Sequence, residues 1–560
     1  MSTQFDAIVV GSGITGGWAA KELTEKGLKV LMIERGPLLE HGRDYHTETK
    51  APWEMPFRGF GDQELIGREY RVQSQGRSFD EWTQRHFVND KEHPYSTDPD
   101  RPFNWFRGYQ LGGRSLIWGR QSYRWSDLDF GANKRDGYGV DWPVRYAELA
   151  PWYDHVESFI GVSGSQEGLP QLPDGQFQPP MALNVVEAEA KRRIEAAYPD
   201  RRLIIGRVAN LTEAKPGRAP CQYRSICARG CSYGAYFSTQ SSTLPAARAT
   251  GNLTLITDQV VSRVDYDAKT QRVSGVQAVD TKSGKGSVYS AKMVFLCAGS
   301  FNTVALLLRS ESEAFPNGLA NRSGVLGRFI MDHANTLSAM GSIPGHEAHT
   351  SFGNRPTGII IPRFRNVSGT DPRFVRGYSY QGGAFQRGWS RGETVAGLGT
   401  ELKESIRAPG PWQFALVGFA ECLPQADNRI TLHPTFKDRD GLAQLHIQFS
   451  FGANEKALLK DAADEAKRML AMMGGTAQIS FSEPGIPGTS IHEMGGARMG
   501  HDPASSVLNA HNQAHGIPNL FVTDGACMSS SACQNPSLTY MAFTARAAQY
   551  AAHALKEGSL

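Results

Sequence analysis

The sequence has little of three features that would assign it to a special class of protein. Seven cysteines in 560 residues are too few for a disulfide-stabilised scaffold. A formal net charge of +3 is too small to indicate nucleic acid or an anionic membrane as a partner. The most apolar stretch, residues 293–308, contains Gly299, Ser300 and Asn302 and is therefore not expected to form a transmembrane helix. These absences indicate a soluble globular protein, and its length predicts two large domains.

The N-terminus is equally poor in targeting signals. Residues 1–6 contain neither a basic segment nor an apolar segment ahead of the first predicted strand. We therefore expect no secretion signal on this chain. The protein would then be cytoplasmic, or would reach the periplasm or a membrane through a partner subunit that carries the signal.

A glycine-rich turn near the N-terminus is the most informative motif that is present. An apolar run over residues 7–10 leads into Gly11-Ser-Gly13-Ile-Thr-Gly16, and a second apolar run ends at Glu34. The first glycine permits a tight turn, the second lets a pyrophosphate approach the backbone, and the third allows close packing of helix on sheet. The anion would lie at the positive end of that helix, and the carboxylate would hold a ribose hydroxyl. This pattern predicts a dinucleotide-binding unit; the alternative is a glycine-rich turn without a ligand.

Short apolar runs between turn residues predict the remaining strands and helices. Those that would extend the nucleotide-binding sheet are strands at 253–256, 259–264, 273–279, 293–299 and 519–523, with helices at 303–308 and 539–555. Residues 335–480 predict a second domain on an antiparallel sheet, with strands near 357–361 and 444–449 and an amphipathic helix at 455–473. The nucleotide-binding domain is thus expected to be assembled from separated pieces of chain.

Three further segments carry a resemblance to a known family. They are Leu111-Gly-Gly-Arg-Ser-Leu-Ile-Trp118, the pair His492 and Asn535-Pro536, and the strand that ends in Asp524-Gly525. With the N-terminal loop, they make the chain resemble the glucose–methanol–choline (GMC) family of flavoenzymes over nearly its full length. The resemblance is greatest to sugar-oxidising members such as glucoside 3-dehydrogenase, bacterial FAD-dependent glucose and gluconate dehydrogenases, and pyranose oxidase.

This resemblance implies a fold class and a division into domains. The fold class is α/β, with a Rossmann-like FAD-binding domain built from separated segments and a substrate domain of antiparallel sheet and helices. The implied FAD-binding domain comprises 1–50, 200–332 and 485–560. The implied substrate-binding domain comprises 51–199 and 333–484.

The resemblance also implies which residues contact FAD. Ile117 stands where pyranose oxidase has the histidine that bonds covalently to FAD, so we expect a non-covalent cofactor. Trp118 stands where many alcohol-oxidising members have Asn, and Val304 replaces the family's usual Pro after Thr303. The expected FAD-binding residues are Gly11, Gly13, Gly16, Glu34, Arg35, Gly113, Arg114, Ser115, Trp118, Val260, Ala298, Asp524, Gly525, Asn535 and Pro536.

His492 and Asn535 match the family's catalytic pair. Removing a hydride from a carbinol carbon leaves a carbonyl only if the hydroxyl proton leaves as well, and an imidazole is suited to take that proton. Asn535 can orient the same hydroxyl without adding charge. An isolated histidine would more often be structural, but the surrounding motif and the paired Asn535 favour the catalytic interpretation. His501, His511 and His515 lie nearby but outside the motif, and we interpret them as structural.

The candidate substrate-contacting residues are supported by less sequence information than the catalytic pair. The aromatic and arginine-rich stretch 105–125 could wall a sugar pocket, since sugar faces stack on aromatic rings. Packing between domains would explain Trp105 and Trp125 equally well. The candidates are Arg120 in this stretch, and Gln381 and Glu421 in the second domain.

Three of the seven cysteines cluster as Cys221, Cys227 and Cys231 on turn residues. Thiolates at such spacing suit an iron–sulfur cluster or zinc. The segment resembles the one that holds a 3Fe–4S cluster in bacterial FAD-dependent glucose and glucoside dehydrogenases. The alternatives are buried thiols left in a loop without iron, and a zinc site with a fourth ligand. The other four cysteines are expected to lie in the core.

These features predict a dehydrogenase that oxidises a secondary hydroxyl, expected at C3, of a glucoside or disaccharide to a 3-keto sugar. Electrons would leave through the iron–sulfur cluster to a cytochrome c or a quinone, with a small subunit as a further partner and no nucleic acid. Alternatives are oxidation at C1 or C2, or of a non-sugar alcohol, and a flavin-binding lyase. A flavin-binding protein without activity is a third class, against which the intact His492 and Asn535 argue.

Overall fold

A computed structural model describes residues 5–350 and 353–560 of the chain. Its strands, numbered in chain order, are β1 (Phe5–Val10), β2 (Val30–Ile33), β3 (Ser96–Thr97), β4 (Val162–Ser163), β5 (Phe177–Gln178), β6 (Ile204–Ile205), β7 (Leu253–Ile256), β8 (Gln259–Asp267), β9 (Arg272–Asp280), β10 (Gly286–Leu296), β11 (Ala334–Ile343), β12 (Ile359–Ile361), β13 (Tyr378–Gln386), β14 (Trp412–Ala420), β15 (Arg429–Lys437), β16 (Ala443–Gln448) and β17 (Leu520–Val522). Its α-helices are α1 (Ile14–Glu25), α2 (Gln63–Glu69), α3 (Asp127–Phe130), α4 (Ala132–Asp136), α5 (Tyr146–Ile160), α6 (Val185–Ala197), α7 (Thr243–Ala249), α8 (Ser300–Arg309), α9 (Gly399–Arg407), α10 (Ala453–Met472) and α11 (Ser537–Lys556).

The nucleotide-binding sheet has a parallel part in the order β7-β2-β1-β10-β17. Strand β2 is buried along its length and β1 over its last four residues, as a parallel sheet with both faces covered requires. Strand β10 also takes part in an antiparallel meander, because its first half pairs with β9 and β9 pairs with β8. The carboxyl ends of β1, β2, β10 and β17 therefore meet at one edge, where a nucleotide is expected to bind.

Helix α1 packs on β1 and β2 of this sheet, and two further helices pack beside it. Helix α11 packs against both α1 and α5. Its buried face is rich in alanine, which brings the helix axes close together. As a result, the last helix of the chain is packed beside the first.

A second sheet, in the order β11-β14-β13-β12-β6, is antiparallel throughout. Helix α10 packs on β11 and β14, and α6 packs on β13. Together they enclose a separate hydrophobic core. Residue His333 immediately precedes β11, and Gln381 lies within β13.

The predicted α/β fold, with a parallel nucleotide-binding sheet and a second antiparallel sheet, is confirmed. The predicted strand at 293–299 begins earlier, at Gly286, because its first half is a half-exposed edge that alternates in polarity and pairs with β9. The division of the chain into two domains by residue range stays a prediction. Among residues 5–350 and 353–560, no helix is both long and apolar enough to cross a membrane.

Candidate active site

The glycine turn between β1 and α1 leaves room for a ligand at one position only. A Cβ on Gly11 would lie 2.6 Å from the carbonyl oxygen of Cys297, and one on Gly16 would lie 1.9 Å from the carbonyl oxygen of Gly11. A Cβ on Gly13 would meet no atom of the described residues within 4 Å. Gly11 and Gly16 are therefore required by packing, whereas Gly13 faces open space at the start of α1, where the helix dipole attracts anions.

Glu34 is held at the carboxyl end of β2 with acceptor capacity to spare. Its Oε2 accepts hydrogen bonds from the backbone N (3.0 Å) and Oγ (2.5 Å) of Ser12, and its Oε1 accepts one from Gly36 N (2.9 Å). A carboxylate offers about four acceptor positions, so one remains for a ribose hydroxyl. Burial raises the pKa of this carboxyl, while the bonds from Ser12 and Gly36 oppose that effect. The turn and Glu34 therefore fit the nucleotide part of FAD.

The Gly112–Ser115 turn lies directly over the glycine turn. The backbone N of Gly112, in a left-handed conformation, donates to Ser12 Oγ (2.8 Å). A Cβ on Gly113 would lie 3.5 Å from Gly13 Cα. Ser115 Oγ donates to Gly112 O (2.6 Å) and accepts from Thr239 N (3.1 Å). The structure thus brings Gly113 and Ser115 to the expected cofactor site.

Arg114 points from this turn toward the C-terminal motif. Its two terminal nitrogens donate to the two carboxylate oxygens of Glu493, at 3.0 and 2.6 Å. Glu493 is buried and adjoins His492. This bidentate ion pair therefore ties the turn beside the glycine loop to the segment that carries the predicted base.

Asp524 closes a second strand-to-helix turn. Its Oδ2 accepts from Gly299 N (2.9 Å) and Thr303 Oγ1 (2.5 Å), and its Oδ1 accepts from Ala526 N (3.0 Å). Burial raises the pKa of this carboxyl to about 6. Ala298, in the same turn, lies against Gly11, since a Cβ on Gly11 would be 2.9 Å from its Cα. The carboxyl ends of β1, β10 and β17 are thus joined, as predicted for the nucleotide edge.

Gly525 connects this edge to the predicted catalytic histidine. Its carbonyl oxygen accepts from Gly495 N (2.8 Å). A Cβ on Gly525 would lie 2.4 Å from the carbonyl oxygen of Glu493, so only glycine fits. Pro536 precedes α11 as its N-cap residue, next to Asn535.

The structure brings His492 and Asn535 into contact. Asn535 Nδ2 lies 3.0 Å from His492 Nε2, and Asn535 Oδ1 accepts from Gln381 Nε2 (2.6 Å). Of the three weak substrate candidates, Gln381 is therefore at this pair. The ring of Phe419, on β14, lies 6.1 Å from the His492 ring, measured between centroids.

The other ring nitrogen of His492 contacts a residue that sequence reasoning missed. His492 Nδ1 lies 2.7 Å from His333 Nδ1, and His333 Nε2 bonds the carbonyl oxygen of Ala532. A carbonyl only accepts, so His333 Nε2 carries a hydrogen and His333 Nδ1, in the neutral ring, has a lone pair. His492 Nδ1 must then donate, which leaves the lone pair of His492 Nε2 facing the Asn535 amide.

Burial keeps this histidine pair neutral. Burial, the neighbouring His333 and the positive charge of Arg114 together hold the pKa of His492 well below its usual range. Burial also lowers the pKa of His333 to about 4. At neutral pH, His492 is therefore an unprotonated imidazole whose Nε2 is able to accept a proton.

Asp332 was also missed, and it fixes the backbone around His492. Its Oδ1 accepts from His492 N (3.0 Å) and from Ser490 Oγ, and its Oδ2 accepts from Gly488 N (2.8 Å). Asp332 and His333 precede a strand about 160 residues before His492, and no motif spans that separation. No signal in the sequence would have connected Asp332-His333 with His492.

The remaining predicted residues lie away from this pair. Glu421 is fully buried in an ion pair with Arg363 (2.5 Å), and burial raises its pKa to about 7. Arg120 Nη1 donates to the carbonyl oxygen of Trp118 (2.6 Å), and Trp118 Nε1 donates to Phe237 O (2.8 Å). Neither Glu421 nor Arg120 contacts His492 or Asn535.

Arg35 and Val260 lie on the Glu34 side. Arg35 stacks on Tyr109, with 3.8 Å to the ring centroid, and its Nη2 donates to Asp440 Oδ2 (2.7 Å). His93, Asp438 and Asp440 lie close enough to hold a cation, but Arg35 already supplies positive charge there. Val260 follows Gln259, whose N–H bonds the carbonyl of Glu34 (3.0 Å).

The three clustered cysteines line one pocket. Cys221, Cys227 and Cys231 line a small surface pocket together with Tyr236. The seven cysteines, all within the described residues, are free thiols. Tyr223 N donates to Cys221 Sγ (3.4 Å), and Arg224 Nη2 lies 3.8 Å from Cys231 Sγ. Burial raises the pKa of Cys221, and the hydrogen bond from Tyr223 N opposes that rise.

A nucleotide-binding edge beside a buried imidazole that can accept a proton defines the class: a dinucleotide-dependent oxidoreductase. Comparison with known proteins gives the family. Two family models, both described as GMC oxidoreductase, match residues 5–334 and 424–544. These matches cover more than half of the chain, which therefore belongs to the GMC oxidoreductase family, whose members bind FAD. The family predicted from the motifs is confirmed.

The chain is similar over its whole length to curated members of different specificity. It is 26% identical to the fructose dehydrogenase large subunit of Gluconobacter japonicus, with 99% of this chain and 98% of that protein covered. It is 28% identical to paromamine 6'-oxidase of Streptomyces fradiae (97% and 91% covered) and 26% identical to 2-methyl-1,2-propanediol dehydrogenase of Mycolicibacterium austroafricanum (98% and 95%). The crystal structure of pyridoxine 4-oxidase superposes with a TM-score of 0.61 at 19% identity, covering 98% of this chain and 99% of that one, which shows the fold.

Proposed function

We propose that this protein is an FAD-dependent dehydrogenase that oxidises a secondary hydroxyl of a glucoside or disaccharide, at C3, to a keto sugar. The observation that carries the oxidation is the unprotonated Nε2 of His492, held 3.0 Å from Asn535. Similarity to members that act on sugars and alcohols supports the substrate class. The position on the sugar rests on the sequence resemblance to glucoside 3-dehydrogenase.

In this mechanism, His492 Nε2 takes the hydroxyl proton of the substrate. FAD, when bound, supplies the acceptor for the hydride that leaves the same carbon, so that alcohol becomes ketone with two electrons removed. Asn535 holds the hydroxyl next to His492, and Gln381 holds the Asn535 amide in place through its Oδ1. A substrate hydroxyl bound at His492 Nε2 would replace the hydrogen bond between Asn535 and His492.

Residues of this chain that would hold FAD are those around the nucleotide edge. Gly13 leaves space at the N-terminus of α1 for the pyrophosphate, and Glu34 retains one acceptor position for the ribose. The Gly113 turn and Asp524-Gly525 extend this surface toward His492. Ile117 offers no nucleophile for a covalent bond, which supports a non-covalent cofactor.

We also infer that Cys221, Cys227 and Cys231 hold a 3Fe–4S cluster, which supplies one-electron chemistry when bound. A structural zinc site takes four protein ligands, whereas this loop offers three thiols. Three thiolates match a three-iron cluster better, and the N–H···S contacts from Tyr223 and Arg224 suit anionic sulfurs.

The segment after the Gly113 turn supports an electron route between the two sites. Tyr236, which lines the cysteine pocket, donates its hydroxyl to Leu116 O (2.7 Å). Trp118 packs edge-on against Phe237, and the Arg120 guanidinium lies over the ring of Tyr236, 5.5 Å from its centroid. A cytochrome c or quinone would then take the electrons. The name "large subunit" of the fructose dehydrogenase relative supports a small subunit here as a further partner.

Product analysis tests the substrate assignment. We expect anaerobic incubation with sucrose, trehalose or methyl glucoside to bleach the flavin, and the NMR spectrum of the product to show a carbonyl at C3. A product oxidised at C1 or C2 would instead favour the second candidate, which the similarity to the gluconate 2-dehydrogenase flavoprotein of Pantoea cypripedii supports. A flavin that no alcohol reduces would favour a lyase or a protein without activity.

Iron analysis tests the cluster. Purified protein should contain about three irons and four sulfides per chain, with an EPR signal in the oxidised state. The triple variant Cys221→Ser, Cys227→Ser, Cys231→Ser should lose iron and electron transfer to an acceptor but keep flavin reduction by substrate. Cys422→Ser, which changes a buried thiol outside the pocket, should keep both. Iron-free protein that is fully active with oxygen as its sole acceptor would contradict the proposal.

A further inference from the structure

His333 has an environment that a packing residue would not need. Both of its ring nitrogens form hydrogen bonds, one to the Ala532 carbonyl and one to His492 Nδ1 (2.7 Å). The two imidazole rings are nearly perpendicular, at 85°, with centroids 4.8 Å apart. In this geometry the lone pair of His333 Nδ1, in the ring plane, receives the Nδ1–H of His492. His333 is 1% exposed and lies on the side of His492 opposite Asn535.

We propose that His333 is a positioning residue that fixes the tautomer of the catalytic base His492. This proposal rests on the function proposed above and names a residue that supports it. The Ala532 carbonyl forces the hydrogen of His333 onto Nε2, so that His333 Nδ1 can only accept. His492 must then carry its hydrogen on Nδ1 and present its Nε2 lone pair to the substrate side. The wrong tautomer, with the hydrogen on Nε2, could not take a proton from the substrate hydroxyl.

The same contact holds after proton transfer. When His492 becomes an imidazolium, its Nδ1–H still points at the lone pair of His333, so no hydrogen bond is lost. A neutral acceptor stabilises the imidazolium less than a carboxylate would, which keeps the base from being protonated before substrate arrives. Asp332, the preceding residue, holds the backbone N of His492 (3.0 Å), so the two adjacent residues fix the main chain and the ring of one histidine.

The charged and titratable groups that face His492 come from three elements. His333 and Asp332 lie just before β11, Arg114 lies in the turn over the glycine loop, and Glu493 follows His492 and pairs with Arg114. Burial raises the pKa of Asp332 to about 6, so its titration contributes to the pH profile of the wild type as well as of the variants. The test therefore compares variants with the wild type instead of interpreting one profile alone.

Three variants of His333 separate positioning from packing. His333→Phe keeps bulk but removes the acceptor, and we expect the rate of flavin reduction to fall about 100-fold, within the range for general-base catalysis. His333→Asn keeps an acceptor near the Nδ1 position and should remain within roughly 10-fold of the wild type. His333→Asp places a carboxylate there, which stabilises the imidazolium and raises the pKa of His492. Since only unprotonated His492 is active, the loss of activity on lowering the pH should occur about 1–3 pH units higher than in the wild type.

His446→Phe is the matched control. His446 also uses both ring nitrogens, toward Ser96 Oγ (2.9 Å) and Asp98 Oδ1 (3.1 Å), but lies in the separate β15-β16-β3 sheet. We expect its rate and pH profile to match the wild type. Equal losses in His333→Phe and His446→Phe, or a His333→Asp profile that coincides with the wild type, would overturn the proposal. If His333→Phe does not fold, the Asn and Asp variants decide the question by the same criteria.

A second measurement does not depend on turnover. In full-length protein labelled with [15N]histidine, the His492 signals, identified by their loss in His492→Gln, should show a protonated Nδ1 and an unprotonated Nε2. His333→Phe should convert them to a mixture of tautomers, whereas unchanged signals would contradict the proposal. If wild-type flavin is not reduced by any sugar but the tautomer depends on His333, then the proposed function fails and this inference stands.

Discussion

The two ends of the expected cofactor site are built by different means. At the nucleotide end, the glycine turn and Glu34 come from one continuous stretch, Gly11 to Glu34, in which backbone N–H groups of Ser12 and Gly36 hold the Glu34 carboxylate. At the His492 end, four distant segments meet, and side chains hold one another through a chain of hydrogen bonds from Ala532 to Gln381. A site formed by one strand–turn–helix–strand unit therefore leaves a pattern of closely spaced residues in the sequence. A site formed by side chains from distant segments leaves no such pattern, and only the residues that belong to a recognisable motif can be predicted from the sequence.

The largest expected effect is at the His492 end of the site. His492→Ala should retain FAD, because the nucleotide end is untouched, but should lose flavin reduction by at least 10²–10⁴-fold, the contribution of a general base. Stopped-flow reduction by substrate, together with the FAD content of the purified variant, measures both. His515→Ala, which alters a histidine outside the motif, is the control. Normal flavin reduction in His492→Ala would refute its assignment as the base.

The second largest effect is expected at the nucleotide end of the site. Gly13→Ala adds a methyl where the apoprotein has space, so the stability of the cofactor-free protein should change by no more than about 0.5 kcal/mol. The same methyl would meet the pyrophosphate, so FAD affinity should fall by roughly 10-fold or more. Fluorescence titration and thermal unfolding measure the two quantities.

The control for this glycine is Gly67→Ala. Gly67 lies in α2, and a Cβ there would also meet no atom of the described residues within 4 Å. We expect unchanged FAD affinity in this variant. Equal FAD affinity in Gly13→Ala and Gly67→Ala would show that the pyrophosphate does not approach Gly13.

The smallest expected effect concerns Gln381, the residue at the end of the hydrogen-bond chain that passes through His492 and Asn535. Gln381→Leu removes the donor to Asn535 Oδ1, so the amide is less well oriented, and kcat/KM should fall about 3–10-fold, the worth of roughly one hydrogen bond. Gln386→Leu is the control on the same strand, since within residues 5–350 and 353–560 the Gln386 side chain makes one hydrogen bond, a long one to His349 O (3.4 Å). A Gln381→Leu enzyme with wild-type kinetics would remove Gln381 from the site.

The two ends of the site differ in how much of them a local sequence pattern records. Gly11, Gly16 and Glu34 were read together because their roles follow from chain geometry within one strand–turn–helix–strand unit. His492 and Asn535 were recognised through motifs, and the structure places them in contact. Glu421 was named from its position in the second domain, but its burial with Arg363 depends on packing that no local pattern records. Arg120 was named from the aromatic stretch 105–125, but its guanidinium donates to the Trp118 carbonyl, a contact that no local pattern records.

By itself, the sequence determined the nucleotide-binding fold and the family, and it predicted His492 and Asn535 as the catalytic pair, since each is carried by a local motif. Only the tertiary structure decided which tautomer His492 adopts and which residues enforce it. His333 acts through one lone pair, whose direction depends on the carbonyl of Ala532, nearly 200 residues away in the chain. Hydrogen-bond direction is a property of assembled neighbours, and therefore the fold, not the motif, sets the state of the base.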